Sequence, residues 1–304
     1  STDNNLFWWY FPPQTQPEGE APTLVWLQGG PGAASTFGLF AEMGPYVLTP
    51  NSSDPTGFTL GDRATSWNKK YGMIFIDNPV GAGFSYTGTG TGYCHDTHDC
   101  VARNLYSALQ QFYTMFPKLS SSPLWITGES YGGHYVPAIA AYIHNQNERL
   151  EAGGPAPENV RDQLFVTESA LPLAGIAVGD GWVDPVNMLQ AYAPMIYNQA
   201  MCSESEAEQI TAFMTDAQNR ITQGDFLGSF NVWDKFLNGD IWPYGNWFHN
   251  ITGLNDYDNY MNTNEPADLG YYHQYLNSPS VRSALHIGNH TLQSGHDCEM
   301  ALLA

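Results

Sequence analysis

Short apolar runs alternate along the chain with longer segments of helical period. Runs at Leu6–Phe11, Leu24–Leu27, Met73–Asp77, Leu124–Thr127 and Leu173–Val178 are bounded by turn-forming residues and predict strands. Between them, Leu105, Leu109, Phe112 and Phe116 recur on one helical face, which predicts a helix over Val101–Phe116 stopped by Pro117. A further helix is expected over Val136–His144, after a Gly-rich turn. Strands alternating with helices argue for a mainly parallel sheet covered on both faces.

The pattern changes after Asp184-Pro185. Ser203 and Glu206 have the spacing of a capping box, and Ile210, Phe213, Ala217 and Ile221 follow at helical spacing. Another helix is expected from Asp225 to Asn238, ended by Gly239. An aromatic, Asn-rich stretch without strand alternation then runs to Tyr272, and no internal repeat is visible. The expected organisation is a sheet core over 1–184, a helical insertion over 185–276 and a return towards the core over 277–304, with an exposed loop at 151–158.

Composition narrows the classes. A chain of 304 residues, 42% hydrophobic and 14% aromatic, is globular rather than disordered. Ten basic against thirty acidic residues give a net charge of -20, which repels phosphate backbones and anionic lipid. Neither a nucleic acid nor a membrane is an expected partner, and no apolar run is long enough to span a bilayer. Such acidity suits work at low pH, and equally suits plain solubility. The chain opens at Ser1 without a leader-like segment, so a signal peptide is expected to have been removed. Acceptor triplets for N-glycosylation begin at Asn51, Asn250 and Asn289. Four cysteines permit three full pairings, of which the close spacing favours Cys94–Cys100.

Chemistry concentrates in two motifs. Gly128-Glu129-Ser130-Tyr131-Gly132 follows an apolar run and precedes a helix pattern, the context of a nucleophile elbow with Ser130 at its apex. Gln28-Gly29-Gly30-Pro31-Gly32 follows another predicted strand. Acyl transfer needs two preorganised N–H donors for the developing oxyanion, and the amides of Gly30 and Tyr131 are the candidates.

Three blocks in order, Trp26–Gly32, Ile76–Ser85 and Gly128–Gly133, resemble the serine carboxypeptidase family, as do Tyr135-Val136-Pro137 and Gly179–Pro185. Gln28 resembles the vitellogenic-like branch, where many lysosomal-type members carry asparagine. The resemblance covers nearly the whole chain and implies an α/β-hydrolase fold with a helical cap insertion. It also implies that the C-terminal part of that fold lies outside this chain. It implies Ser130 as nucleophile, and a substrate carboxylate held by Gln28, the Gly29 amide, Glu129 and Glu42. Two acids attract a carboxylate only when they are protonated or share protons, so such a site should bind best in acid. The plain alternative for Glu42 is an exposed helix residue.

The triad requires an acid and a histidine after the serine. In the family both lie near the C-terminus, in sequence that would follow Ala304, and Leu6–Phe11 reads as a strand whose hairpin partner would precede Ser1. His286, His290 and His296 read as surface or packing residues, and Asp180 as a structural loop residue rather than a triad acid. This chain alone is therefore expected to be inactive. Either a second chain supplies the missing residues, or the chain is incomplete. The segment Cys94–Cys100 holds metal-ligand types, but reads as a disulfide-closed loop with Asp99 at a helix start. No metal or organic cofactor is expected. The expected partners are a peptide substrate, the second chain and a second copy in a homodimer. The expected location is the secretory pathway, either a lysosome or vacuole or the exterior. The rival readings are an esterase or acyltransferase on this scaffold and a non-catalytic binding component. The latter gains from Ala33-Ala34, where family members often have Cys-Ser.

Overall fold

The computed structural model describes residues 3–155, 168–237 and 246–303. The chain divides into two compact units, one of Ser1–Gly181 with Asp268–Leu302, the other of Trp182–Ala267 with the last two residues.

The first unit contains strands β1 (Trp8–Phe11), β2 (Thr23–Leu27), β3 (Tyr46–Pro50), β4 (Phe58–Asp62), β5 (Gly72–Ile76), β6 (Leu124–Glu129) and β7 (Leu173–Gly179). Its main sheet has the order β7-β6-β2-β5-β1; β1 runs antiparallel to β5 and the other neighbours are parallel. The five apolar runs are these five strands, with Leu6–Phe11 beginning at Trp8. The β3–β4 hairpin was not foreseen, because Asn51-Ser52-Ser53-Asp54 and Gly57 broke the apolar pattern around it.

Strands β2 and β5 are buried along their whole length, so they read as unbroken apolar runs. Alternate residues nevertheless enter different cores. Val25, Leu27, Ile74, Ile76 and Ile126 pack with Leu105, Leu109, Phe112, Tyr135, Val136, Ile139 and Ile143. Leu24, Trp26, Met73 and Phe75 pack instead with Leu39, Phe40, Tyr272 and Leu276. Strand β7 differs: Ile176 is 44% and Val178 36% exposed, and among the described residues β6 is its one sheet neighbour.

Helix α1 (Ala102–Met115) follows a π turn over Thr97–Val101, and Pro117 opens a 3-10 turn just after it. A disulfide joins Cys94 to Cys100. Asp96 caps the turn, its carboxylate accepting from the amides of Asp99 and Cys100. Asp99 lies in the first turn, as expected, and pairs with Arg103 at 3.4 Å. Helix α2 (Gly132–Glu151) is longer than its apolar period suggested. Its first turns hold Gly132, Gly133 and Pro137, which carry little helix signal. Glu151 closes this helix, and residues 156–158 of the expected loop lie outside the described residues.

The second unit holds α3 (Tyr192–Asn198), α4 (Glu204–Thr222), α5 (Phe226–Leu237) and α6 (Trp247–Thr252). The capping box at α4 is complete, with Glu206 accepting from the Ser203 amide at 2.7 Å. Ile210, Met214 and Ala217 pack with Ile196, Phe236 and Phe248 in a core of their own. The expected helix end at Asn238-Gly239 lies outside the described residues. Helices α7 (Tyr271–Asn277), α8 (Pro279–Ala284) and α9 (His296–Leu303) follow. Among the described residues, no helix is long and apolar enough to cross a membrane.

Candidate active site

Ser130 stands between the end of β6 and the start of α2, with φ at 54°, a conformation most residues avoid. The glycines around it answer to one backbone atom. A Cβ on Gly128 would lie 2.5 Å from the Leu27 carbonyl oxygen, and one on Gly132 would lie 2.9 Å from that oxygen. Close approach of β2 therefore dictates the Gly-x-Ser-x-Gly pattern. The Ser130 amide donates to Gly179 O at 3.2 Å, tying the elbow to the end of β7.

The loop after β2 folds onto this elbow. A Cβ on Gly29 would come within 2.7 Å of both Ser130 Cβ and the Tyr131 amide nitrogen. Ala33 N donates to Gly29 O, the Gln28 amide to Ser35 Oγ, and Ser35 Oγ to Ile76 O, which pins the loop to β5. Buried Asp77 accepts from the amides of Thr36 and Phe84. Burial pushes its pKa up to about 6, although these N–H groups favour the ionised form. Among the described residues, the amides of Gly30 and Tyr131 donate to no protein acceptor, which leaves two N–H groups beside the serine. An oxyanion hole needs such a pair.

Next to the serine lies a polar cradle. Trp26 and Gln28 alternate onto one face at the end of β2, and the Trp26 indole N–H donates to Gln28 Oε1 at 2.8 Å. An indole nitrogen can only donate, so it fixes which way the Gln28 amide points. Gln28 Nε2 then donates to Glu129 Oε1 at 2.8 Å and to Glu42 Oε1 at 3.4 Å. Glu42 ends a π turn over Gly38–Glu42 and is half-buried, which removes the reading of an exposed helix residue. Its pKa is raised far above the ordinary glutamate range, first by burial, then by the charge of Glu129 and a hydrogen bond with it; Asp180 adds a smaller push. This environment favours the protonated form of Glu42 at a pH where isolated glutamates are ionised.

Gln28, Gly29, Glu42, Glu129, Ser130 and Tyr131 thus lie in one region. Trp26, Ser35 and Asp77 support it and had not been singled out. The Trp26–Gln28 spacing of two on a strand was the available signal for the first. Asp180 follows β7 with φ at 37°.

His134 packs against Tyr131 at a tilt, with ring centroids 4.8 Å apart, and burial lowers its pKa. His290 stacks on Tyr86, and His286 and His296 are exposed. Among the described residues the Ser130 hydroxyl has no hydrogen-bond partner, and no cluster of acids, histidines and cysteines is placed to hold a metal. Asn250 and Asn289 are exposed, whereas Asn51 is half-buried and donates to Thr59 Oγ1. Cys202 and Cys298 are free thiols.

A serine elbow at positive φ, two free amides beside it and two carboxyls bridged by one side-chain amide sit on an α/β-hydrolase fold. The chain belongs to the serine carboxypeptidase family, whose sequence profile matches residues 1–303. It is 41% identical over 293 residues to the human probable serine carboxypeptidase CPVL, covering 96% of this chain and 56% of that protein. It is 35% identical over 298 residues to the vitellogenic carboxypeptidase of Aedes aegypti, covering 94% of this chain and 55% of that protein. The chain therefore spans little more than half the length of the relatives it matches. The fold is similar to that of a prohormone-processing carboxypeptidase from Saccharomyces cerevisiae, with a TM-score of 0.72 at 21% identity over 99% of this chain and 64% of the other.

Proposed function

We propose that the full-length protein carrying this chain releases C-terminal amino acids from peptides through an acyl-enzyme on Ser130, and does so in an acidic compartment. The observation that carries this reading is the Gln28 amide bridging Glu42 and Glu129 beside the elbow. Bare carboxylates repel a peptide's terminal carboxylate. A pair that retains a proton can donate to it, and the Gln28 amide and the Gly29 N–H complete the cradle. A substrate anchored there presents its last peptide bond to Ser130. The N–H groups of Gly30 and Tyr131 receive the oxyanion of the tetrahedral intermediate.

The general base and its orienting acid come from polypeptide beyond this chain. Two features support that assignment: the unpartnered Ser130 hydroxyl, and β7, whose apolar Ile176 and Val178 are exposed. Further strands added at β7 would bring their C-terminal ends beside the elbow, where α/β-hydrolases place the acid and the histidine. A secretory setting is consistent with the Cys94–Cys100 disulfide and with the exposed Asn250 and Asn289 triplets.

The test uses the full-length protein and three blocked dipeptides that share a scissile bond and end in a free acid, an amide or an ester. Release of the last residue from the acid, best at low pH and abolished by Ser130→Ala, is the expected result. Turnover of the ester alone would transfer the site to an esterase, and no turnover with no fluorophosphonate labelling of Ser130 would make the protein a non-catalytic relative.

A further inference from the structure

Arg63 follows β4 and lies beside the segment that carries Glu42. Its guanidinium spends its donors on main-chain carbonyls. Nη2 donates to Phe40 O at 2.5 Å and Tyr46 O at 3.0 Å, and Nε donates to Gly44 O at 3.0 Å. Its own amide donates to Pro45 O at 2.7 Å. The side chain therefore grips the π turn from within, at Phe40, and the chain just after it, at Gly44 and Tyr46. That turn needs an outside clamp. Met43 N and Gly44 N both bond to Gly38 O, leaving the carbonyls that follow with no place in a continuing helix. A fork of five donors suits three diverging carbonyls, which a lysine ammonium at the end of a flexible stem does not.

The same group is a cation near the carboxyl pair: burial lowers its pKa, and the charge of Glu42 opposes that in part. Glu129 at the end of β6 and Asp180 after β7 act on Glu42, Glu42 acts on Arg63 after β4, and by Coulomb's law that last attraction is mutual. Arg63 is the cation among them.

We infer that Arg63 is a positioning residue for recognition of the substrate's terminal carboxylate: it holds the Glu42 turn at the distance Gln28 requires, and its charge limits how tightly the carboxyl pair keeps its proton. The inference rests on the function proposed above and assigns a residue to it. The two effects separate by chemistry. Loss of the fork loosens Glu42 and raises KM for substrates with a free C-terminal acid. Loss of the charge leaves Glu42 protonated to higher pH, because a nearby cation favours the ionised form. The alkaline limb of KM then moves upward.

The experiment compares Arg63→Gln and Arg63→Lys with the wild-type full-length protein, using the blocked dipeptide acid and its C-terminal amide across a pH series. For Arg63→Gln, KM for the acid should rise about 10-fold or more, the scale of a lost charge-assisted hydrogen bond. Its amide kinetics should stay unchanged and its alkaline limb should lie at higher pH. Arg63→Lys should restore the limb and leave KM high. Equal losses on acid and amide, or a KM and limb equal to wild type, would overturn the positioning role while leaving the carboxypeptidase reading intact. A wild-type protein that does not distinguish acid from amide would overturn both. If Arg63→Gln does not fold, Arg63→Lys decides through its KM for the acid.

Discussion

Alanine placed at Gly128 and at Gly153 separates two reasons for a glycine. Gly128 pairs in register with Leu27 across two central strands, and its added Cβ would sit 2.5 Å from the Leu27 carbonyl oxygen and 3.0 Å from Val136 Cγ2. Relief requires moving β6 away from β2 by several tenths of an ångström, within a ladder where neighbouring residues are fully buried. Overpacking of this kind costs about 3 kcal/mol. Gly153 follows the end of α2 with φ at 74° and has nothing within 4 Å of its added Cβ. Its penalty is conformational alone, about 1 kcal/mol for a left-handed alanine. Urea denaturation followed by tryptophan fluorescence should show both midpoints lowered, Gly128→Ala about three times further than Gly153→Ala at unchanged slope. Fluorophosphonate labelling of Ser130 in the full-length protein should slow for Gly128→Ala and not for Gly153→Ala. A Gly153→Ala variant less stable than Gly128→Ala, or a Gly128→Ala variant labelled at the wild-type rate, would refute the steric account of the elbow.

Trp26→Phe leaves Gln28 Oε1 without its donor, so the amide is free to turn over. KM for an acid-terminated peptide should rise about 10-fold while that for its amide holds, and an equal rise for both would count against the cradle. Glu42 has a raised pKa, so its contribution to stability is complete at low pH and is lost as pH climbs from the ordinary glutamate range through the raised value. Glu42→Gln should therefore flatten the alkaline fall in denaturation midpoint. Tyr106→Phe removes a 2.8 Å hydrogen bond to Glu168, whose carboxylate also pairs with Arg149. It should cost about 1 kcal/mol in urea unfolding. Cys298 is fully buried, with its thiol pushed up to about 12, chiefly by burial. Alkylation read by mass spectrometry should modify half-exposed Cys202 long before Cys298 in the native protein.

The strands were legible because β2, β5 and β6 are apolar over lengths too short for buried helices, and the elbow because its glycines are dictated by Leu27 O. The Glu42–Glu129 pairing needed the family resemblance, since 87 residues separate them and no period links them. Arg63 was not legible at all. It acts through main-chain carbonyls, and a carbonyl is the same at every residue. The β3–β4 hairpin was hidden by its polar turn. Helix α2 was shortened by the glycines that make the elbow possible, so a constraint at the site erased a local signal beside it.

The sheet order has a consequence in time. Strand β2, synthesised early, stands between β5 and β6, which arrive about fifty and a hundred residues later. The end that leads to Gln28 is bare until both neighbours have been made. Non-local pairing of this kind is slow to form because chain closure precedes any contact energy. A nascent chain that stops short of Glu129 therefore contains Trp26, Gln28 and Glu42 but lacks the second carboxyl that Gln28 bridges, and this hydrogen-bonded cluster comes into being as a single late event.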